Sequence, residues 1–299
     1  MKTSWMVVVG VLSLVLVAPF VGEAQTSGAA KSFVHVANSY RLAPNITYMR
    51  ASGVDLKLDV YQSRDAEGPN PTLVYFHGGG WTNGSKESSA LTFLPYLEMG
   101  WNVVNVGYRL ADVAHAPAAV EDCRCALRWI YRNAEQFNFD LNQIVVTGNS
   151  AGGHLSLMAA ATNYDQIFEG EGGNNEVSSE IKAVCAIYPP TTIRQLEMVN
   201  PLENAFLMLM GKEAKKEDYD KASPLNYVTE DYPPCMLIHG STDSVVRLKD
   251  STKFYEKLIE FNRPASLHIF SEEEHAFDGE SDYGRAIADL QALFFLKYL

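Results

Sequence analysis

Ser150 stands in Gly148-Asn149-Ser150-Ala151-Gly152-Gly153, between an apolar run at 143–147 and a helix-like stretch at 150–162. A strand that turns at once into a helix puts this serine on a sharp elbow. Side chains at 148 and 152 would collide with the neighbouring strand and helix, so glycine suits both positions. A serine held out in this way can act as a nucleophile in acyl transfer. The helix N-terminus behind it aims partial positive charge and N–H groups at the oxyanion that forms.

A second motif supplies more donors. His77-Gly78-Gly79-Gly80-Trp81 follows the apolar run Thr72–Phe76. Consecutive glycines let the backbone come close to a substrate carbonyl, and each preorganised donor there is worth roughly 3–4 kcal/mol in the transition state. Gly78, Gly79 and the N–H of Ala151 are the expected oxyanion hole. His77 is expected to brace the loop rather than to act as a base. Trp81 either lines a substrate pocket or packs beneath the loop.

The serine needs a base, and the base a carboxylate to fix its tautomer. His239 ends a strand pattern, His268 lies within one, and His275 sits in a loop after the last one. His275 is therefore the expected base. Asp243 lies in the loop after the penultimate strand pattern and is the expected orienting carboxylate. Its rivals are Asp250, Glu272–Glu274 and Asp278. Asp250 is expected on a helix facing solvent, and the glutamate run is most simply a solvated face.

The elements that position these residues alternate between strands and helices. Apolar runs too short for helices occur at 72–76, 102–106, 143–147, 183–187, 235–238 and 266–270. Such runs suit strands buried on both faces of a parallel sheet. Residues 46–61 read as an antiparallel hairpin turning at Ser52-Gly53. Apolar residues at three- and four-residue steps predict a helix within 117–137, with others at 247–261 and 282–298. Residues 164–180 read as an exposed loop. An insertion at about 191–222 carries a helix with Asn200 as cap, Pro201 in its first turn and Gly211 at its end. Phe206 on that helix is expected either to wall the pocket as part of a small lid or to pack on the body.

Composition limits the partners. The chain has 299 residues, 47% of them hydrophobic, enough for a sizeable core. Its net charge of −12 argues against nucleic-acid binding. The first 24 residues carry Lys2, an apolar stretch from Trp5 to Phe20 and Gly22-Glu23-Ala24, the pattern of a secretory signal peptide. Cleavage after Ala24 would give a secreted or periplasmic catalytic domain of residues 25–299. The apolar run is short of the roughly 20 residues that a membrane span needs, so no stable membrane anchor is expected. Four cysteines, at 123, 125, 185 and 235, fit no zinc spacing and read as small core residues. No metal and no cofactor are expected.

These motifs, in this order, resemble the esterases and lipases of the α/β-hydrolase superfamily over nearly all of residues 45–299. Gly107-Tyr108-Arg109-Leu110 and Pro117–Asp122 resemble the hormone-sensitive-lipase-like group. Leu58-Asp-Val-Tyr61 and Thr242-Asp-Ser-Val-Val246 resemble the bacterial acetylxylan and feruloyl esterase-like group. The first group usually has aspartate where this chain has Asn149, and carries an N-terminal helical cap for which there is little room here. The resemblance implies an α/β-hydrolase fold with a mostly parallel eight-stranded sheet, helices on both faces and a small lid insertion. It also implies hydrolysis of short acyl or aryl esters through an acyl-enzyme, with acetyl or feruloyl esters of polysaccharides as candidate substrates. An amidase or arylformamidase on the same machinery is the alternative, and a non-catalytic binding protein is a third. Arg109 and Asp122 are expected to pair and brace the sheet edge.

Overall fold

The short apolar runs become the middle of one sheet. The computed structural model describes residues 28–90, 92–162, 168–194, 201–279 and 281–299. The expected signal peptide, residues 1–24, lies outside them. Eight strands form among the described residues: β1 (Tyr40–Ala51), β2 (Val54–Ser63), β3 (Asn70–Phe76), β4 (Asn102–Val106), β5 (Phe139–Asn149), β6 (Ala183–Ile187), β7 (Cys235–Gly240) and β8 (Ala265–Phe270). Their order in space is β1-β2-β4-β3-β5-β6-β7-β8. β1 and β2 form the antiparallel hairpin, β2 runs antiparallel to β4, and the remaining neighbours are parallel. This is the α/β-hydrolase fold.

Helices cover both faces. They are α1 (Gly28–Ser39), α2 (Leu94–Glu98), α3 (Ala118–Arg132), α4 (Ala134–Phe137), α5 (Ala151–Ala161), α6 (Pro201–Met210), α7 (Lys216–Lys221), α8 (Leu248–Glu260) and α9 (Ser281–Tyr298). Cys123 and Leu127 of α3, Leu155 of α5 and Phe254 of α8 join one core layer. Leu97 of α2 and Phe295 of α9 join the other. β3, β4, β6 and β7 run between the layers, which is why they read as unbroken apolar runs.

Several expectations change on folding. β8 is not buried on both faces. It is an edge strand, and Ile269 is 49% exposed. α1, which had no clear signal, precedes a hairpin that begins at Tyr40 rather than 46. Asp250 does not face solvent. It is buried and accepts hydrogen bonds from the Thr191 and Thr192 backbone. The described part of the glycine-rich segment is clamped, not free: Glu169 pairs with Arg124 and Arg128, and the Gly173 carbonyl accepts from Arg128 Nε. Arg109 and Asp122 pair in the core, where Arg109 Nη2 lies 2.6 Å from Asp122 Oδ1. All four cysteines are buried and unbridged.

The sheet positions the site by its carboxyl ends. Phe76 at the end of β3 lies in register with Gly148 of the adjacent β5. The loop beginning at His77 therefore lies beside the elbow of Ser150. β7 and β8, also adjacent and parallel, carry the loops of Asp243 and His275.

Candidate active site

The elbow at Ser150 is strained and its neighbours must be small. Ser150 has φ +52° and ψ −118°, a region that non-glycine residues rarely adopt. A Cβ on Gly152 would stand 2.0 Å from the Phe76 carbonyl oxygen, and one on Gly148 would stand 2.4 Å from the same atom. The β3 backbone thus presses against the turn, and only glycine leaves room. The elbow is fastened by Ser150 N–H donating to the Ile187 carbonyl at 2.9 Å.

Three side chains from distant parts of the chain meet here. Ser150 Oγ lies 3.0 Å from His275 Nε2, and His275 Nδ1 lies 2.8 Å from Asp243 Oδ2. A carboxylate can only accept, so Nδ1 carries the proton and leaves the Nε2 lone pair for the serine O–H. The other Asp243 oxygen accepts from the N–H groups of Val245 at 2.9 Å and Val246 at 2.8 Å. Burial alone would raise the Asp243 carboxyl. Hydrogen bonds from His239 and His275 overcome this and hold it well below the usual carboxylate range. Asp243 thus stays charged beside His275.

Two features of this corner had no signal in the spacing. His239 was weighed only as a base, yet it is fully buried and supports Asp243 from behind, with Nε2 3.4 Å from Oδ2. Its ring is fixed by Val246 O and Ser251 Oγ, each at 2.8 Å. The glutamate run is no simple solvated face. Glu274 accepts from the backbone and hydroxyl of Ser244, and the Glu273 carbonyl accepts from the backbone and hydroxyl of Thr242. The carboxylate loop and the base loop are stitched together.

The glycine loop turns tightly beside Ser150. Gly79 has φ +119°, and a Cβ there would meet the Asn83 carbonyl at 2.1 Å. Its own carbonyl accepts from the N–H groups of Thr82 and Asn83. Ala151 opens α5, and a first-turn N–H has no acceptor within its own helix. His77 braces the loop: its ring stacks on Tyr108 at 4.3 Å, Nδ1 donates to the Gly78 carbonyl at 2.7 Å, and burial lowers its pKa.

The cleft over Ser150 holds about 530 Å³ and is bounded by Gly78–Gly80, Trp81, Thr82, Asn83, Tyr188 and Ala205 among others. Apart from His275, no basic or acidic side chain is among the described residues that line it. Trp81 does both things expected of it. It is 1% exposed, packs under the loop and floors the cleft, while its Nε1–H donates to His154 Nδ1 at 3.3 Å. Phe206 is different. It is 2% exposed and packs on Trp81 at 5.8 Å, while its neighbour Ala205 faces the cleft. The apolar wall expected from Phe206 is thus one layer further back. Among the described residues no group of His, Cys, Asp and Glu is placed to hold a metal ion.

The BD-FAE family model matches residues 58–258. The chain belongs to the BD-FAE family. It is 29% identical over 266 residues to the probable carboxylic ester hydrolase LipM of Mycobacterium tuberculosis, covering 86% of this chain and 61% of LipM. The chain spans between half and two thirds of the length of the curated relatives of this kind that it matches. A truncated carbohydrate esterase from gut microbiota superposes with a TM-score of 0.75 at 24% identity, covering 86% of this BD-FAE chain and 98% of that one. The acetyl ester-xyloside bifunctional hydrolase from Caldicellulosiruptor lactoaceticus superposes with a TM-score of 0.70 at 25% identity, covering 81% and 89%.

Proposed function

We propose that this BD-FAE chain is a serine carboxylic-ester hydrolase that works through an acyl-enzyme. The observation that carries this reading is the line from Ser150 through His275 to Asp243, in a cleft that Gly78 and Gly79 also line; their N–H groups and that of Ala151 are the proposed oxyanion donors. Ser150 Oγ attacks the ester carbonyl as its proton passes to His275 Nε2. Asp243 holds Nδ1–H and stabilises the imidazolium. The tetrahedral oxyanion faces the three backbone donors. His275 returns its proton to the leaving alcohol, then draws one from water as it attacks the acyl-enzyme, and gives that proton back to Ser150 Oγ as the acid leaves.

The substrate is proposed to be a short acyl or aryl ester of an uncharged, hydroxyl-bearing molecule, including acetyl or feruloyl esters of polysaccharides. The support is a cleft that, apart from His275, has no basic or acidic side chain among the described residues that line it and is walled partly by Thr82, Asn83, Ser88 and Ser89. The names of the carbohydrate esterase and of the acetyl ester-xyloside hydrolase point the same way. We also propose export from the cytoplasm, on the pattern of residues 1–24; sequencing the N-terminus of the mature protein tests it, and an intact Met1 overturns it.

The deciding experiment compares wild type with Ser150→Ala on p-nitrophenyl acetate, longer p-nitrophenyl esters and matching amides. Ester hydrolysis is expected to fall by about 10³-fold or more in the variant. Faster turnover of amides than of esters would replace this reading with the amidase one. Failure of Ser150 to take a fluorophosphonate label would remove the catalytic reading altogether.

A further inference from the structure

The residue before the nucleophile is committed in several directions. Asn149 Oδ1 accepts from the Tyr75 hydroxyl at 3.3 Å. Its Nδ2 donates to the Tyr188 hydroxyl at 3.2 Å and to Asp278 Oδ2 at 3.1 Å. Tyr188 in turn donates its own proton to Asp278 Oδ1. Asn149 is one residue before the nucleophile, and Asp278 is three residues after the base. One amide–carboxylate pair therefore joins the elbow of Ser150 to the loop of His275, beyond any link inside the triad.

This carboxylate is an unusual choice of filler. Asp278 is 7% exposed, and a buried charge costs stability unless donors surround it. Its donors are Tyr188 and Asn149. Burial raises the carboxyl above its ordinary range, and those two hydrogen bonds and the charge of His275 offset this only in part. The groups around it are Asn149 from β5, Tyr188 from the end of β6, whose ring leads on to His275, and, through Asn149, Tyr75 from β3, while the charge of His275 acts on it electrostatically; α9 presents Ile287 and Ala288 to the space beside it. Tyr188 is itself strained, with φ +38°, and its ring lies 4.5 Å from that of His275.

We propose that Asp278 is a positioning residue: through Asn149 and Tyr188 it locks the His275 loop onto the Ser150 elbow and turns a second negative charge toward the imidazolium. The proposal rests on the ester-hydrolase reading. It also explains why asparagine suits position 149. An aspartate there would set two carboxylates about as close as the present amide and carboxylate, and their repulsion would work against the lock.

The test exchanges the two groups in the full chain. Asn149→Asp adds a charge beside Ser150. Its kcat on p-nitrophenyl acetate is expected to fall about tenfold or more with KM nearly constant, and the acid limb of kcat/KM to move to higher pH. Asp278→Asn keeps hydrogen-bonding groups but removes the charge. A loss of about three- to tenfold is expected, with the acid limb moving the opposite way. The double variant restores one carboxylate and one amide, with both tyrosine hydroxyls still able to donate, and should return to within about threefold of wild type. A structural defect alone would give neither opposed pH shifts nor rescue. Circular dichroism melts identify any form that does not fold. If Asn149→Asp is lost in this way, Asp278→Asn and Tyr188→Phe decide, and an unmoved acid limb in both overturns the proposal. An active wild type whose double variant is no better than the worse single one overturns this inference alone. A wild type that neither cleaves esters nor takes a fluorophosphonate label overturns the ester-hydrolase reading, and this inference with it.

Discussion

The cleft over Ser150 holds about 530 Å³, and a second hollow between α3, α5, α6 and α7 holds about 360 Å³. They share a partition. Trp81 floors the first, and its hydrogen-bond partner His154 lines the second. The second is walled by Val120, Leu155, Met158, Phe168, Leu209 and Met210, residues that would suit a ligand pocket by hydrophobicity alone. Among the described residues that line it there is no serine or cysteine nucleophile, no base held by a carboxylate and no glycine loop. The cleft is rimmed by hydroxyls and amides and has all three. The proposed reactivity rests on convergence of polar groups at strand ends, not on the greasiness of a hollow.

Four substitutions can break or sharpen that contrast. Asp243→Asn should lower kcat by about 10⁴-fold, because the base loses its tautomer, while the melting curve changes little; a loss under tenfold in steady-state assays would mean that convergence matters less than claimed. Gly79→Ala strikes the loop, since its Cβ would meet Asn83 O at 2.1 Å. Loss of about 10²- to 10³-fold in kcat is expected, and wild-type rates would remove Gly79 as a donor.

The partition itself responds to pH. His154 is buried and neutral, donating through Nε2 to the Ala222 carbonyl at 2.8 Å, and burial lowers its pKa to about 4. The unfolded chain takes up a proton near the ordinary value of about 6.5, while the folded chain refuses it. Stability from this residue is thus complete above about pH 6.5 and is lost as pH falls toward about 4, roughly 3 kcal/mol in all. Denaturant titrations across this range should show the loss in wild type and a shallower slope in His154→Gln; equal slopes would contradict it. The smallest effect belongs to Ala214→Leu, which projects into the apolar hollow. It should leave kcat/KM within about twofold of wild type, and a larger change would mean that the second hollow feeds the first.

The sequence disclosed what is local. The elbow at Ser150 was legible because its glycines are demanded by backbone a few residues away in space and adjacent in register. Asp243 and His275 were legible because loops after successive strands of a parallel sheet open on one side. The strands were legible wherever both faces are covered. Direction and partnership were not. Nothing in the spacing says that Phe206 turns inward while Ala205 faces the cleft, since that depends on how α6 rotates against Trp81. The edge position of β8 depends on strand order. The roles of His239, Asp250 and Glu274 come from partners on other elements. Asn149 was noticed as a departure from a related group, but its partner Asp278 lies 129 residues away.

The base hangs from the margin of the sheet. β8 pairs with β7 on one side and has no strand on the other among the described residues. Margins of sheets open more readily than their centres, and Ser150 grows from the centre while its proposed proton acceptor grows from the rim. On warming, catalysis should therefore fade through fraying at this rim before the body of the molecule melts. Amide hydrogens of 265–276 should exchange at temperatures where those of β3 and β5 are still protected.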